Sequence, residues 1–321
     1  MHRRTLAAAG LGAASLALPG RAARAQGWPD RPIRMFVAYP AGLIPDVLGR
    51  LLAQPLSASL GRPVVVENAA GAAGNIGTDR VAKAAPDGYT IGLTSNGPLT
   101  LSPTSTPNLP FNVARDLAPI TPVASTPTAL MVYPGLPANT LQELLALARA
   151  KPGELSFSHT GIGNSTHIAG ELMKKRAGVD IISVPYSTSL VPDVMAGRVS
   201  MTFGSVNTAL PLVRDGKLKC LGVTSRERLA SAPDFPTFSE SGLPDFEVLT
   251  WFGLVAPART PEAVVNRLHA ETSAALTTLR LRIQELGAEP MSETPAAFTA
   301  RIAAETRQWA PVLRDIGAVQ N

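Results

Sequence analysis

The stretch Tyr39-Pro40-Ala41-Gly42-Leu43-Ile44-Pro45-Asp46-Val47-Leu48-Gly49-Arg50 decides how the chain is read. An apolar run at residues 33–38 enters it, and a pattern of apolar residues at helical spacing, residues 46–60, leaves it. Gly42 permits close backbone approach, Pro45 suits the first helical turn, and Asp46 places a carboxylate in that turn. A strand–loop–helix corner of this kind aims unpaired backbone N–H groups into the crevice it borders, which suits it to binding an anion. Asp46 and Arg50 are four residues apart, the spacing of a surface ion pair on one helix.

Working outward, the same alternation continues. Strand-like runs stand at residues 64–67, 90–94, 129–133, 155–159, 181–186, 199–203, 218–224 and 248–256, with helical patterns at 76–84, 141–150, 165–177 and 208–214. Such alternation predicts an α/β architecture with mostly parallel sheets. At 141–150, Thr140 and Glu143 read as a capping box. Leu141, Leu144, Leu145 and Ala148 form one apolar face, and Pro152-Gly153 stops the helix. From Thr260 onward the pattern is helical only, over 261–276, 279–286 and 295–316. Thr260-Pro261 and Thr294-Pro295 read as starts, and Gly287 and Gly317 as stops. No internal repeat or low-complexity linker divides the chain.

Three further loops repeat the opening layout. One is 67–77, glycine-rich and containing Gly71, but without the G-x-G-x-x-G order or a following G-K-[ST] that a nucleotide site needs. Another is Ser95-Asn96-Gly97-Pro98. The last, Thr160-Gly161-Ile162-Gly163-Asn164-Ser165-Thr166-His167, opens a helix that Ser165 or Thr166 is placed to cap. Taken singly, such a loop reads as an ordinary cap and turn. Four of them in one α/β chain predict a polar crevice at the C-terminal ends of the strands.

The first 25 residues are set apart. Arg3 and Arg4 precede an apolar run at 7–18, and Ala23-Arg24-Ala25 reads as an export-signal cleavage site before Gln26. Twelve apolar residues are too few to span a bilayer. Four of the 29 basic residues lie in this leader, which leaves 25 against 24 acidic ones. A near-neutral mature chain without a Lys/Arg tract carries no nucleic-acid footprint.

Catalytic patterns are sparse. His159, His167 and His269 lack metal-ligand spacing, no G-x-S-x-G elbow is present, and the lone Cys220 sits inside a strand-like run as a buried hydrophobe would. Neither a metal, a cofactor nor a catalytic group is predicted; the residues point to binding without chemistry.

Read in order, several short motifs resemble one family. They are Trp28-Pro29 with Arg31-Pro32-Ile33, Tyr39-Pro40-Ala41-Gly42, Val66-Glu67-Asn68, Ala84-Ala85-Pro86-Asp87-Gly88-Tyr89-Thr90, Gly170-Glu171-Leu172, Val184-Pro185-Tyr186, Asp193-Val194-Met195-Ala196-Gly197 and Leu254-Val255-Ala256-Pro257. Together the order and spacing resemble the substrate-binding receptors of tripartite tricarboxylate transporters, the Bug receptors, over essentially the whole mature chain. The resemblance implies a periplasmic two-lobed, type II-like Venus flytrap fold with a cleft between α/β lobes joined by crossing strands and a helical C-terminal tail. Lobe 1 would comprise residues 26–124 plus 251–321, and lobe 2 residues 125–250. The implied ligand is a small carboxylate, held by backbone N–H groups of Ala41, Gly42 and Leu43. The other contacts implied by position are Tyr39, Asp46, Gly71, Asn96, Thr160, Gly161, Ser165, His167, Tyr186 and Ser205. Membrane permease subunits are the implied partners.

The departures from the family pattern concern the cleft. Leu43 stands where the family has a second Gly, so a Cβ is expected to restrict φ there and an isobutyl group to fill part of the cleft. Ser187-Thr188 replace a basic residue and Gly, Ala69-Ala70 replace R-P, and Gly204 replaces a common acidic residue. Losing cationic and acidic loop groups together points to a less charged or more apolar ligand, or to a receptor that has drifted from transport. Two alternatives accompany the transport reading: a binding protein that signals to a membrane sensor, and a hydrolase using Ser165 with His167.

Overall fold

In the computed structural model, residues 27–159, 164–186 and 191–319 are described. The strands are β1 (Ile33–Val37), β2 (Val64–Asn68), β3 (Thr90–Ser95), β4 (Leu117–Val132), β5 (Ser156–His159), β6 (Ile182–Pro185), β7 (Met201–Ser205), β8 (Lys219–Val223), β9 (Leu249–Pro257) and β10 (Glu289–Pro290). The helices are α1 (Ile44–Leu60), α2 (Asn75–Ala82), α3 (Ser102–Ser105), α4 (Val113–Asp116), α5 (Leu141–Ala150), α6 (Ser165–Ala177), α7 (Val191–Met195), α8 (Val206–Arg214), α9 (Glu262–Glu285) and α10 (Pro295–Asp315), with a π-helical turn at Gly97–Leu101.

The strands form two sheets that share one strand. In the first, β1 pairs with β2 and β3 in parallel, β9 pairs antiparallel with β3, and β4 pairs antiparallel with β9 along Leu117–Pro127. In the second, the last five residues of β4, Thr128–Val132, pair antiparallel with β7 and β8, while β5 pairs in parallel with β6 and β7. Two α/β lobes result, joined through β4 and β9.

Several expectations change here. The sheets are mixed and not mostly parallel, because β4 and β9 run antiparallel to their neighbours. The run read as residues 129–133 is the far end of a strand of 16 residues. Pro119, Pro122 and Pro127 argue against a central strand in sequence, yet the ladder shifts register beside the first two, between Pro119 and Thr121 and between Pro122 and Ala124. The helices read over 261–276 and 279–286 are one continuous helix, α9. Thr277 and Thr278 are accommodated within it, their hydroxyls donating to the carbonyls of Ser273 and Ala274. Thr260 does not cap it; its hydroxyl donates to the Pro257 carbonyl, and Pro261 holds the cap position. At α5 the expected box forms in altered form. Thr140 accepts from the Glu143 N–H, and the Glu143 carboxylate accepts from Asn139 N–H instead of Thr140.

Each sheet buries an apolar layer. Met35 and Val37 of β1 meet Leu48, Leu52 and Leu56 of α1 and Leu268 and Leu276 of α9. On the second sheet, Phe157 and Phe203 meet Leu144, Ile168 and Met173. Helix α10 contributes to both regions. Phe298 and Ile302 join a cluster with Trp251 and Val255, whereas Trp309 and Leu313 join the cluster of Phe157 and Phe203.

Gly77 lets α2 lie directly on β1. A Cβ there would sit 2.7 Å from both the Ala38 Cα and the Ala69 carbonyl oxygen, which are backbone atoms with no rotamer to yield. Gly77→Ala is therefore expected to destabilise the protein by about 1–3 kcal/mol, read as a lower urea midpoint at unchanged slope; full stability would show that α2 is free to move off β1.

Candidate functional site

The first corner is organised by Asp46. Its carboxylate is buried and accepts from the Gly42 N–H at 2.9 Å, from Asn68 Nδ2 at 2.9 Å and from Arg50 Nε at 3.1 Å. Burial pushes Asp46 up, but the bonds from Arg50, Gly42 and Asn68 and the Arg50 charge outweigh it, so the carboxyl titrates below its ordinary value. Asp46 is thus more than half of a surface ion pair: it folds the loop onto the start of α1. Gly42 adopts φ 84°, a left-handed conformation that its lack of Cβ allows.

Leu43 differs from expectation. Its φ of −80° and ψ of 162° are extended, so a side chain costs no backbone strain, and it is 51% exposed. The Gly42 N–H belongs to Asp46. No side chain caps α1, which leaves the N–H groups of Leu43 and Ile44 as the donors at its open end.

Tyr39 joins three corners. Its hydroxyl lies 2.5 Å from Ser95 Oγ and 3.4 Å from the Ala73 carbonyl, its own carbonyl accepts from Asn68 Nδ2, and burial pushes the phenol up to about 12. In the second corner Gly71, Ala72, Ala73 and Gly74 are successive residues of positive φ. The two alanines hold left-handed conformations that cost about 1–2 kcal/mol each. In the third, Asn96 is buried and donates through Nδ2 to the Leu249 carbonyl at 2.9 Å.

Across β9 the second sheet presents its own corner. Thr160 and Gly161 lie outside the described residues. Asn164, not Ser165 or Thr166, caps α6 by accepting from the His167 N–H at 3.0 Å. This frees Ser165 to meet Thr250, with the two hydroxyl oxygens 2.5 Å apart, while the Thr126 hydroxyl donates to the Thr250 carbonyl. Asn96 and Ser165 therefore converge on neighbouring residues of β9, and the C-terminal ends of the two parallel strand sets meet there.

His159 and His167 are buried with ring centroids 4.3 Å apart. Burial, together with His159 and Lys174, holds the His167 imidazole down at about 4, so it is neutral at ordinary pH. Ser165 is engaged with a hydroxyl and not with a base, which gives the hydrolase reading no geometric support. Tyr186 donates its hydroxyl to Asp193, itself paired with Arg198, and Ser205 caps α8 through the Thr208 N–H. Among the described residues no group of three or more His, Cys, Asp and Glu is placed to hold a metal ion. Cys220 is half-buried in β8, with burial pushing its thiol up to about 12.

Thr250 and Thr126 were not signalled by the sequence, and Asn68 and Ser95 stood in recognised motifs without being named as site residues. Asn68 and Ser95 end strands next to recognised corners, a position that offered a clue. Thr250 and Thr126 gain their roles only from the pairing of β4 with β9.

Residues 48–318 match the profile of a family described as tripartite tricarboxylate transporter family receptor. Protein BugT of Bordetella pertussis is 37% identical over 296 residues, covering 91% of each chain. Two solved structures are similar: R. palustris Rpa4515 with adipate, at 32% identity and TM-score 0.80 over 90% of this chain and 98% of that one, and MatC from Rhodopseudomonas palustris with bound malate, at 30% identity and TM-score 0.75 over 89% and 100%.

Asp46→Ala leaves the Gly42 N–H and Asn68 without their shared acceptor, and a loss of about 1–3 kcal/mol is expected at pH 7. Because folding lowers the Asp46 pKa, its contribution is full above the ordinary carboxylate value and is lost as pH falls through the lowered one. The gap between wild type and variant in thermal melts should accordingly be widest at neutral pH and close in acid below pH ~4; a gap independent of pH would remove Asp46 from this role.

Proposed function

The chain belongs to the tripartite tricarboxylate transporter receptor family, and from that premise we propose that it captures a small carboxylate in the periplasm and presents it to membrane permease subunits. The observation that carries this reading is the convergence of both sets of strand ends on Leu249 and Thr250, with the uncapped start of α1 on one side and the start of α6 on the other. An anion held there would meet helix N-terminal N–H groups and hydroxyls. The adipate and malate bound by the two similar structures support the ligand class.

The division proposed is lobe 1 from residues 26–124 and 251–321 and lobe 2 from 125–250, closing about β4 and β9. Ligand contacts are assigned to Ala41, Leu43, Gly71, Thr160, Gly161 and Ser165, with Gly42 and Asp46 shaping the first corner. Tyr39, Asn96, His167, Tyr186 and Ser205 are assigned to the walls. Residues 1–25 are proposed as an export signal cleaved after Ala25; no helix among the described residues is long and apolar enough to cross a membrane.

The ligand is proposed to be less charged than a tricarboxylate. Asp46 is neutralised by Arg50, His167 is uncharged at neutral pH, and Leu43 brings exposed apolar surface to the first corner. A third carboxylate would lose hydration there without gaining a counter-charge.

Thermal melts of the protein with mono-, di- and tricarboxylates test this. At a hundredfold excess over Kd, binding adds about 2.7 kcal/mol, which raises Tm by several degrees for a chain of this size. Failure of every carboxylate to raise Tm would overturn the proposal. Leu43→Gly is expected to widen the set of stabilising carboxylates, and an unchanged preference would place the Leu43 side chain outside the site.

A further inference from the structure

A cavity of about 480 Å³ opens beneath α10, and none of the corner residues lines it. Its floor is Leu99, Phe111, Leu117 and Ile302, all buried. Its lining includes no Asp, Glu, Lys, Arg or His. Several polar groups at its rim are turned to their own backbone. Thr299 and Thr306 donate to the carbonyls four residues earlier on α10, and Asn112 accepts the Arg115 N–H at the start of α4. A charge entering this space would shed its water and find no partner, whereas apolar surface entering it would be buried at a gain of about 25 cal/mol per Å².

The wall is also held in place. One turn of α10 carries Ile302, which lines the cavity, and Glu305, whose carboxylate accepts from Trp251 Nε1 at 2.8 and 3.0 Å. The Phe298 ring meets the Trp251 ring edge-on at 5.3 Å, and Arg301 bonds Glu293. Through Glu305 and Phe298, α10 is anchored to Trp251 of β9, which holds the helix over the open space. An apolar cavity of about 150 Å³ admits one benzene, and ligand sites run from about 300 to 1,000 Å³. The size therefore suits a molecule of one or two rings.

We propose that this cavity is a second ligand site, for a small uncharged apolar molecule of one or two rings, separate from the carboxylate corners. It does not depend on the carboxylate reading. The test uses the protein labelled with ¹³C at isoleucine δ1 methyls, with the Ile302 signal identified through Ile302→Val, and titrated with toluene. A saturable shift at Ile302 is expected, with Ile44 and Ile76 at the first and second corners unmoved. Benzoate, which adds a charge to the same ring, is expected to leave Ile302 unmoved. Ala303→Phe, at an exposed lining position of α10, should weaken toluene binding about tenfold or more without lowering Tm; Thr299→Phe on the exposed rim provides the same test if Ala303→Phe disturbs folding. A shift that grows without saturating, an affinity unchanged in both variants, or benzoate displacing toluene from Ile302 would overturn the proposal.

Discussion

A single strand carries the architecture. β4 gives its first eleven residues, Leu117–Pro127, to β9 and its last five, Thr128–Val132, to β7 and β8. Because neighbouring strands are held by backbone bonds at fixed spacing, every residue of both sheets takes its position from this one register. The prolines at 119 and 122 remove donors and are accommodated by bulges within the part of β4 that pairs with β9, which add local twist there. The site inherits this geometry. Thr126 and Thr250 face each other across β4 and β9, so the Thr250 hydroxyl that meets Ser165 is set by ladder pairing and not by a loop.

The part of the fold that sequence makes plain is the part governed by local rules. The α5 boundaries follow from its apolar face and its Thr140 cap, and the parallel strands follow from β-branched runs ending in glycine-rich corners. What sequence hides are effects decided at a distance. Proline content disguised the first half of β4, because the bulges that admit proline depend on the partner strand. The pattern read as two helices at 261–276 and 279–286 is one helix, with Leu268, Ala275, Leu276 and Ile283 buried along it. At the site, the four corners were legible from glycine placement, but Asp46 read as a surface pair because the Gly42 N–H and Asn68 that enclose it come from the loop itself and from the next strand. Asn164 displaced Ser165 as the cap because both suit the position and only Ser165 has Thr250 within reach.

The electrostatic design that results is one of dipoles more than charges. Asp46 is consumed in shaping its loop, Asp193 is held by Tyr186 and Arg198, and burial keeps His167 neutral. Backbone N–H groups cannot be titrated, so their field on an anion is constant across pH, and its strength is set by geometry and by exclusion of water. The two alanines held at positive φ in the second corner fit this picture, since backbone direction there is maintained at the expense of local conformational energy.

The placement of α10 bears on how the chain comes to be folded at all. Residues emerge from the ribosome in order, yet Phe298 and Ile302 complete one apolar cluster while Trp309 and Leu313 complete another with Phe157 and Phe203. Neither region can close over its last apolar faces until the final helix has been synthesised. The two regions are therefore coupled in stability through one helix, since loosening α10 uncovers apolar surface in both.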